Sequence, residues 1–381
     1  MSGRARPGDP HKIVPKIHLV GSPYEIGLKH GRELKLQISS QLDIYRNMFW
    51  DYCKFSWEYV RTVAEEFKAT IARLAPDLFE EIRGIADGVG DSSIDLLDIL
   101  ALNARSEIAL GQWDDGCTSL AWNLGDRQII AQNWDWRSTV GANLALAHIC
   151  QRGKPNIWMV IEPGIVGKIG FNSSSVGVCL NAIRARPIST SLLPIHLLLR
   201  LALECTSVEE AIGKIESVGG AASAQHILIA DKSGGRGLAL SPRGGVYLNE
   251  DPNGIVLHTN HFLENKYMDE APPLSGSPIR LDRAKSLCAQ LLAEFPSREL
   301  QRKGLSPSNI RDRIFADPYN SPQAICCSPD LARGPQGDVE TLFNIVMVFE
   351  EGESPYAEVL FGKPDGSSNM SATLEFLPWT R

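Results

Sequence analysis

The chain contains no CxxC pair, and its eight cysteines (Cys53, Cys117, Cys150, Cys179, Cys205, Cys288, Cys326 and Cys327) fall at no regular spacing. That excludes the common zinc modules and a disulfide framework, and most of these thiols sit inside apolar patterns, as reduced buried cysteines do. Basic charge is not in excess either. Lys and Arg number 38 against 45 Asp and Glu, for a net charge of −7, so the phosphate-facing surface of a nucleic-acid binder is not expected. Long apolar runs are missing too. The most apolar stretch, "SLLPIHLLLRLALE", is interrupted by Pro194, His196 and Arg200 and cannot span a bilayer. The early arginines Arg4 and Arg6 are followed by no continuous apolar segment, as a secretory signal requires. The closing tripeptide Trp379-Thr380-Arg381 is not a peroxisomal address. A cytoplasmic protein with no membrane or nucleic-acid partner is the expectation.

What is present is globular in kind. Hydrophobic residues make up 43% and charged residues 22% of the 381, enough apolar material for one large domain or two ordinary ones. The period of the apolar pattern changes partway along. After a strand candidate at Ile13 to Val20, "GSPYEIGLKHGRELKLQI" opens a helix with Ser22 as N-cap, Pro23 in the first helical position and Glu25 closing a capping box. Helical periodicity continues to about residue 112. From Cys117 onward alternation takes over. "CTSLAWNLGDRQIIAQNWDW" reads as a hairpin turning at Gly125-Asp126, and further strands follow to "ATLEFLP". A helical pair at Pro194 to Val218, its second member with a capping box at Ser207 and Glu210, and a helix at "IRLDRAKSLCAQLLAEF" interrupt them. Helices and strands in separate blocks predict an α+β layered domain.

The segment "GQWDDGCTSLAWN" invites a chemical reading. Cys117 could be an ordinary core cysteine at the start of a strand. Alternatively, its thiol attacks the carbonyl of Gly116, which has no side chain to block approach and has backbone freedom denied to other residues. A new chain beginning at Cys117 would then carry an α-amine beside its thiol. Such an amine titrates near neutral pH and can serve as the base for the nucleophile. Asp135, between Trp134 and Trp136, could be a solvent-facing strand residue, and Asn260 in "HTNH" a turn residue. His258 and His261 lack a third metal ligand nearby, and no metal site is expected from them. "GGRGLAL" lacks the strand-turn-helix context of a nucleotide loop. Trp113, Trp122, Trp134 and Trp136 bracket the cysteine and could line an apolar pocket.

"DGCTS" followed by "AQNWDW" resembles the acyl-coenzyme A:6-aminopenicillanic acid acyltransferase (isopenicillin N acyltransferase) family of N-terminal-nucleophile enzymes. "GSPYEIGLKHG", "FEEIRGIADG", "LNARSEIA", "GIVGKIGFNSSSVGV", "GGAASA", "LSP", "HTNH" and "TLFNIV" extend the likeness over nearly the whole chain. The resemblance implies an αββα four-layer sandwich of the N-terminal-nucleophile hydrolase type. It further implies a precursor cut between Gly116 and Cys117 into fragments 1–116 and 117–381 that stay together as one heterodimeric domain. Under it, Cys117 is the nucleophile, Asp135 the acid that orients the new α-amine, and Asn260 the side-chain donor of an oxyanion hole. Gly116, Ser119 and Ser241 would serve processing. In "AICCSPD", Cys327 stands where the family carries an arginine, and Arg333 is a candidate substitute. The implied activity is transfer of an acyl group through a Cys117 thioester to an amine, from an acyl-CoA or amide donor and with no resident cofactor. Amide hydrolysis and a non-catalytic, unprocessed binding protein are the alternatives.

Overall fold

The computed structural model describes residues 14–109, 116–272, 275–367 and 372–379. The residues Trp113, Asp114 and Asp115 ahead of the cysteine, and Ile13 of the first strand candidate, lie outside the described residues. In chain order the strands are β1 (Lys16–Val20), β2 (Gly116–Asn123), β3 (Arg127–Arg137), β4 (Ala145–Cys150), β5 (Ile157–Ile161), β6 (Ile169–Asn172), β7 (Gly177–Ala182) and β8 (Ala185–Arg186). They continue with β9 (Gln225–Asp231), β10 (Gly234–Ser241), β11 (Gly244–Leu248), β12 (Ile255–His258), β13 (Asp269–Glu270), β14 (Val339–Glu350), β15 (Tyr356–Phe361) and β16 (Thr373–Leu377).

The first helix begins as its sequence predicts. The Ser22 side chain accepts from the Glu25 amide, and the Glu25 carboxylate accepts from the Ser22 amide at 2.8 Å. Helix Pro23–Glu33 then lies directly on helix Pro76–Val89, because a methyl group on Gly27 would overlap the Glu81 carbonyl and one on Gly88 the Leu28 carbonyl. The "GLKHG" and "GIADG" spacings are thus contact surfaces where two backbones meet. One capping expectation is corrected. Ser207 accepts from the Glu210 amide at 3.1 Å, but the Glu210 carboxylate reaches Thr206, not Ser207, at 2.7 Å to its amide and 2.6 Å to its hydroxyl.

Two sheets carry the fold. One runs β1-β4-β5-β6-β7-β9-β10-β11 and the other β12-β2-β3-β14-β15-β16. The strands of the second sheet alternate in what they touch. Cys117, Ala121, Ile130, Trp134 and Trp136 join the large core shared with the first sheet and its helices, whereas Leu120, Trp122, Ile129 and Ala131 join a separate core with Ala284, Leu287 and Leu291. Helices up to residue 108 and the pair Ile195–Leu203 and Val208–Ser217 cover the first sheet, while helix Ser277–Glu294 covers the second. The layers are therefore helix, sheet, sheet, helix: the αββα sandwich expected. β-pleating also corrects the tryptophan grouping. Trp122 faces the helix layer, Trp134 and Trp136 face the other sheet, so they cannot line one pocket. Among the described residues no helix is long and apolar enough to cross a membrane.

Candidate functional site

β2 starts one residue before the cysteine, at Gly116, and the hairpin register sets Gly116 opposite Asp135 and Cys117 opposite Trp134. β12 pairs with the other edge of β2 as far as His258 opposite Ser119. Asn260, two residues further, therefore arrives beside Cys117. Its Oδ1 accepts the Cys117 amide N–H at 2.7 Å, and its Nδ2 donates to the Ala182 carbonyl at 2.9 Å. The Asn260 amide N–H donates to Ser277 Oγ at 2.7 Å, tying the loop to the helix behind it. Asn260 is 6% exposed and is no ordinary turn residue. Ser119, on the same pleat face as Cys117, donates to Asn181 Oδ1 across the sheet interface at 2.7 Å.

The side chain that organises this corner is Arg280, which the sequence reading passed over as part of a helix. All five of its N–H donors are used. Nη1 donates to the Cys117 carbonyl at 2.6 Å and Thr118 Oγ1 at 3.0 Å; Nη2 donates to Asn260 Oδ1 at 2.8 Å and Ser275 Oγ at 2.9 Å; Nε donates to the Ser275 carbonyl at 3.0 Å. A planar fork bonded in every direction is a rigid clamp on the cysteine backbone and on the Asn260 amide. The two donors aimed at Asn260 Oδ1 also set which end of that amide is oxygen.

Asp135 lies on the opposite pleat face from the Trp134 and Trp136 rings and is fully buried. The solvent-facing alternative is thereby excluded. Its Oδ1 accepts from Thr341 Oγ1 at 2.6 Å, and its Oδ2 has no hydrogen-bond partner among the described residues. Burial pushes this carboxyl up to about 7, against the opposing pull of Arg280, the Thr341 hydroxyl and Lys363. Oδ2 faces Gly116, where an added Cβ would stand 2.7 Å from it. That is the structural reason for glycine here. Gly116 is not among the residues with positive φ, so backbone freedom, the reason expected from sequence, gives way to close approach.

Cys327 belongs to this side of the sheet. Its amide donates to Thr341 Oγ1 at 2.9 Å, which in turn bonds Asp135, and its thiol faces the Val339 carbonyl at 3.5 Å. Gly116, Asp135, Arg280, Cys327 and Arg333 line one cleft. Arg333 is thus present at its wall, but the buried guanidinium beside Asp135 is Arg280. Ser241 is not brought to the junction. Its hydroxyl donates to the Gly244 carbonyl at 2.7 Å and accepts from the Arg243 amide at 3.2 Å, closing the turn between β10 and β11. His258 and His261 part company: the His258 ring stacks on His226 at 3.5 Å, and His261 Nδ1 meets Ser277 Oγ at 2.7 Å.

Beneath the tryptophans lies a buried ionic network. Glu162 accepts from Arg105 Nη2 and from Lys168 Nζ, both at 2.6 Å, from Gln41 Nε2 at 2.8 Å and from the Tyr45 hydroxyl. Burial alone would raise Glu162, but Arg105 and Lys168 hold it well below the usual carboxylate range. Burial brings Lys168 down to about 8 even with Glu162 beside it. Its ammonium sits 3.6 Å from the Trp134 ring centroid, and Arg105 lies over Trp136 at 5.2 Å. The network stiffens the floor on which Cys117 stands. Trp136 also borders a second, small cleft, lined by Ala109, Ala182, Ile183, Arg184 and Ile188 among others. Arg105 and Lys168 lie in segments whose resemblance was noted from sequence, yet nothing in their spacing marks them as partners of Glu162. Asn181 was missed for the same reason.

Residues 122–315 match the family described as acyl-coenzyme A:6-aminopenicillanic acid acyl-transferase. The acyl-coenzyme A:6-aminopenicillanic-acid-acyltransferase 40 kDa form of Emericella nidulans is 33% identical over 351 residues, spanning 91% of this chain and 92% of that protein. Among solved structures, a variant of conjugated bile acid hydrolase from Clostridium perfringens is 11% identical with a TM-score of 0.44, covering 69% of this chain and 97% of that one. Penicillin V acylase from Agrobacterium tumefaciens is 12% identical with a TM-score of 0.39, covering 65% and 83%. By the extent and identity of the Emericella match, and by a family match over half its length, the chain belongs to the acyl-coenzyme A:6-aminopenicillanic acid acyl-transferase family.

Proposed function

We propose that the protein is a self-processing cysteine N-terminal-nucleophile enzyme that transfers an acyl group to an amine through a thioester on Cys117. The observation that carries the reading is the arrangement around one peptide bond. Its N–H is held by Asn260 Oδ1 at 2.7 Å, its following carbonyl by Arg280 at 2.6 Å, and an unpartnered buried carboxyl oxygen of Asp135 faces the glycine on its other side. An ordinary strand has no use for a buried arginine and a near-neutral carboxyl at its first residue.

In processing, the Cys117 sulfur bonds to the Gly116 carbonyl carbon, the C–N bond breaks, and the thiol proton ends on the departing amine. Water then hydrolyses the thioester to a Gly116 carboxylate and a free thiol. The fragments 1–116 and 117–381 remain together in one αββα domain, since β1 pairs with β4 and the helices up to residue 108 share the large core with the first sheet. The new α-amine gains Asp135 and Asn260 Oδ1 as neighbours. Its positive charge adds a direct partner for Asp135 Oδ2 to the more distant pull of Arg280 and Lys363.

In turnover, the amine takes the thiol proton and the sulfur attacks the donor carbonyl. Asn260 donates to the developing oxyanion, and Ser119 and Arg280 hold the strand and amide in place. The leaving group, a CoA thiol or an amine, departs with the proton. The acceptor amine then attacks the thioester, forming the amide and freeing Cys117. The apolar side of the cleft, formed by Trp136, Ile183 and Ile188, takes the acyl chain, with Ser106, Arg184, Ser223 and Gln225 on its polar side. Nucleophile, base and oxyanion donor all come from the chain, so acyl-CoA enters as co-substrate and no resident cofactor is required.

Mass spectrometry of the purified protein and of Cys117→Ala, with an acyl-CoA and amine screen, tests the reading. Two fragments, the second starting at Cys117, and amide formation by the wild type alone are expected. A wild-type chain that stays whole on incubation would sink it. Free acid formed at the same rate with and without amine would assign the site to hydrolysis.

A further inference from the structure

At the far edge of the first sheet, away from β2, three metal-ligating side chains converge. His18 on β1 and His148 on β4 are register partners in a parallel pair, and Cys150 follows His148 by two residues on the same strand face. His18 Nδ1 lies 2.9 Å from His148 Nδ1, and His148 Nε2 lies 3.2 Å from Cys150 Sγ. One ring nitrogen from each histidine and the sulfur all lie within 4.8 Å of one another. The three are half-buried, reachable from solvent. The His148 ring is fixed between Trp158, stacked at 4.6 Å, and the edge of Trp379 at 5.9 Å.

We propose that His18, His148 and Cys150 bind a zinc ion, with solvent in the fourth position. Two imidazoles and a thiolate form a borderline-soft donor set that suits zinc and is poor for magnesium or calcium. Tetrahedral zinc needs such donors about 3.3–3.6 Å apart. One ion takes only one nitrogen of His148, so one of the two short approaches is a ligand spacing and the other donor pairs lie within 4.8 Å; side-chain rotations of these half-buried residues bring the set to that range. Binding releases the thiol proton of Cys150 to solvent, and no bond in the chain breaks. His18 and His148 lie 130 residues apart in sequence, which is why no ligand spacing reveals the set and the sequence reading expects no metal.

The location gives the ion a task. His18 belongs to segment 1–116 and His148 and Cys150 to segment 117–381, so the ion bridges the two fragments. This staple, unlike the binding itself, rests on the cleavage proposed above. Once the Gly116–Cys117 bond is cut, edge strand β1 has only non-covalent ties to the other fragment, its hydrogen bonds to β4, the buried packing of Ile17 and Leu19 and the Lys16–Glu375 ion pair, and a metal crosslink adds to them.

Cobalt titration of the full-length Cys117→Ala protein tests binding without cleavage. A near-ultraviolet thiolate-to-cobalt band is expected, displaced by zinc, with an affinity at least ~10-fold weaker in His18→Asn and the band lost in Cys150→Ser. An unchanged band in Cys150→Ser, or none in Cys117→Ala with circular dichroism matching the parent, overturns the site. For the processed wild type, zinc should slow dissociation of the fragments in urea, and a chelator should restore the faster rate. Unchanged dissociation in cleaved protein that shows the band removes the staple and leaves the site. A wild type that shows the band but is never cut removes the staple together with the cleavage reading, again leaving the site.

Discussion

Asp135 Oδ2 stands against the α-carbon of Gly116, so close that a methyl group there would lie 2.7 Å from it. That oxygen has no hydrogen-bond partner in a fully buried position. Leaving such a group unpaired costs ~1–3 kcal/mol. The cost is sensible if the intact chain is a precursor and the partner arrives with the cut.

Gly116→Ala should push the Asp135 carboxyl and the scissile peptide apart. Fragment appearance followed by gel or mass spectrometry is expected to slow by at least ~10-fold, since 1 Å misplacement can cost ~10²-fold. Cleavage at the parental rate would show that the close approach is unimportant.

Asp135 also makes the stability of the precursor depend on pH. Its carboxyl is raised from 3.8 to about 7, so the folded chain binds the proton more tightly than the unfolded chain. The resulting stabilisation is complete below about pH 4 and is lost as pH rises through about 7. In the uncleavable Cys117→Ala background, Asp135→Asn should remove that slope. Urea midpoints compared at pH 4 and pH 8 check it: the gain from Asn should be larger at pH 8.

Arg280 lowers the Asp135 value, and removing its charge should raise it further. Arg280→Gln in the same background is expected to move the midpoint of the pH dependence upward. In the cleavable chain, Arg280→Gln should slow processing, with Arg280→Lys restoring charge but not the five-donor clamp, and so only part of the rate. Full rescue by lysine would reduce Arg280 to a charge.

Asn260→Ala should cost roughly 10²–10³ in turnover of processed enzyme, as removal of an oxyanion donor does. Processing should slow as well, because the same side chain holds the Cys117 N–H. A turnover change below about threefold, in fully processed protein, would remove Asn260 from that role.

The ionic floor is a matter of stability. Lys168→Met strips one of two cations from a carboxylate oxygen that is completely buried, and breaking such a pair costs ~3–5 kcal/mol. The exposed pair Lys303–Glu299 is the control, and Lys303→Ala should leave the urea midpoint unchanged.

Much of this was readable in advance because it is local. Ser22, Pro23 and Glu25 mark a helix start within four residues, and alternation after Cys117 announces a hairpin whose turn chemistry is written in Gly125 and Asp126. Ser207 and Glu210 mark a cap equally well, yet the carboxylate chose Thr206: both partners are in reach, and only side-chain geometry decides between them. For Ser241 the motif does not say whether the hydroxyl turns towards a distant site or closes its own turn, and the structure shows it closing the turn.

Sequence alone determined the period change at Cys117, the helix and hairpin signals, and the family resemblance over nearly the whole chain, because each is carried by residues close together or by order along the chain. Tertiary structure decided the rest. Pleating put Cys117 and Asp135 on opposite faces of one sheet; pairing of β12 with β2 delivered Asn260; helix Ser277–Glu294 delivered Arg280; and packing of the helix at Arg105 on the connection between β5 and β6 gathered Glu162, Arg105 and Lys168. Those contacts join residues that no sequence period relates, and they form only when the layers pack, where low dielectric makes each charge depend on its new neighbours.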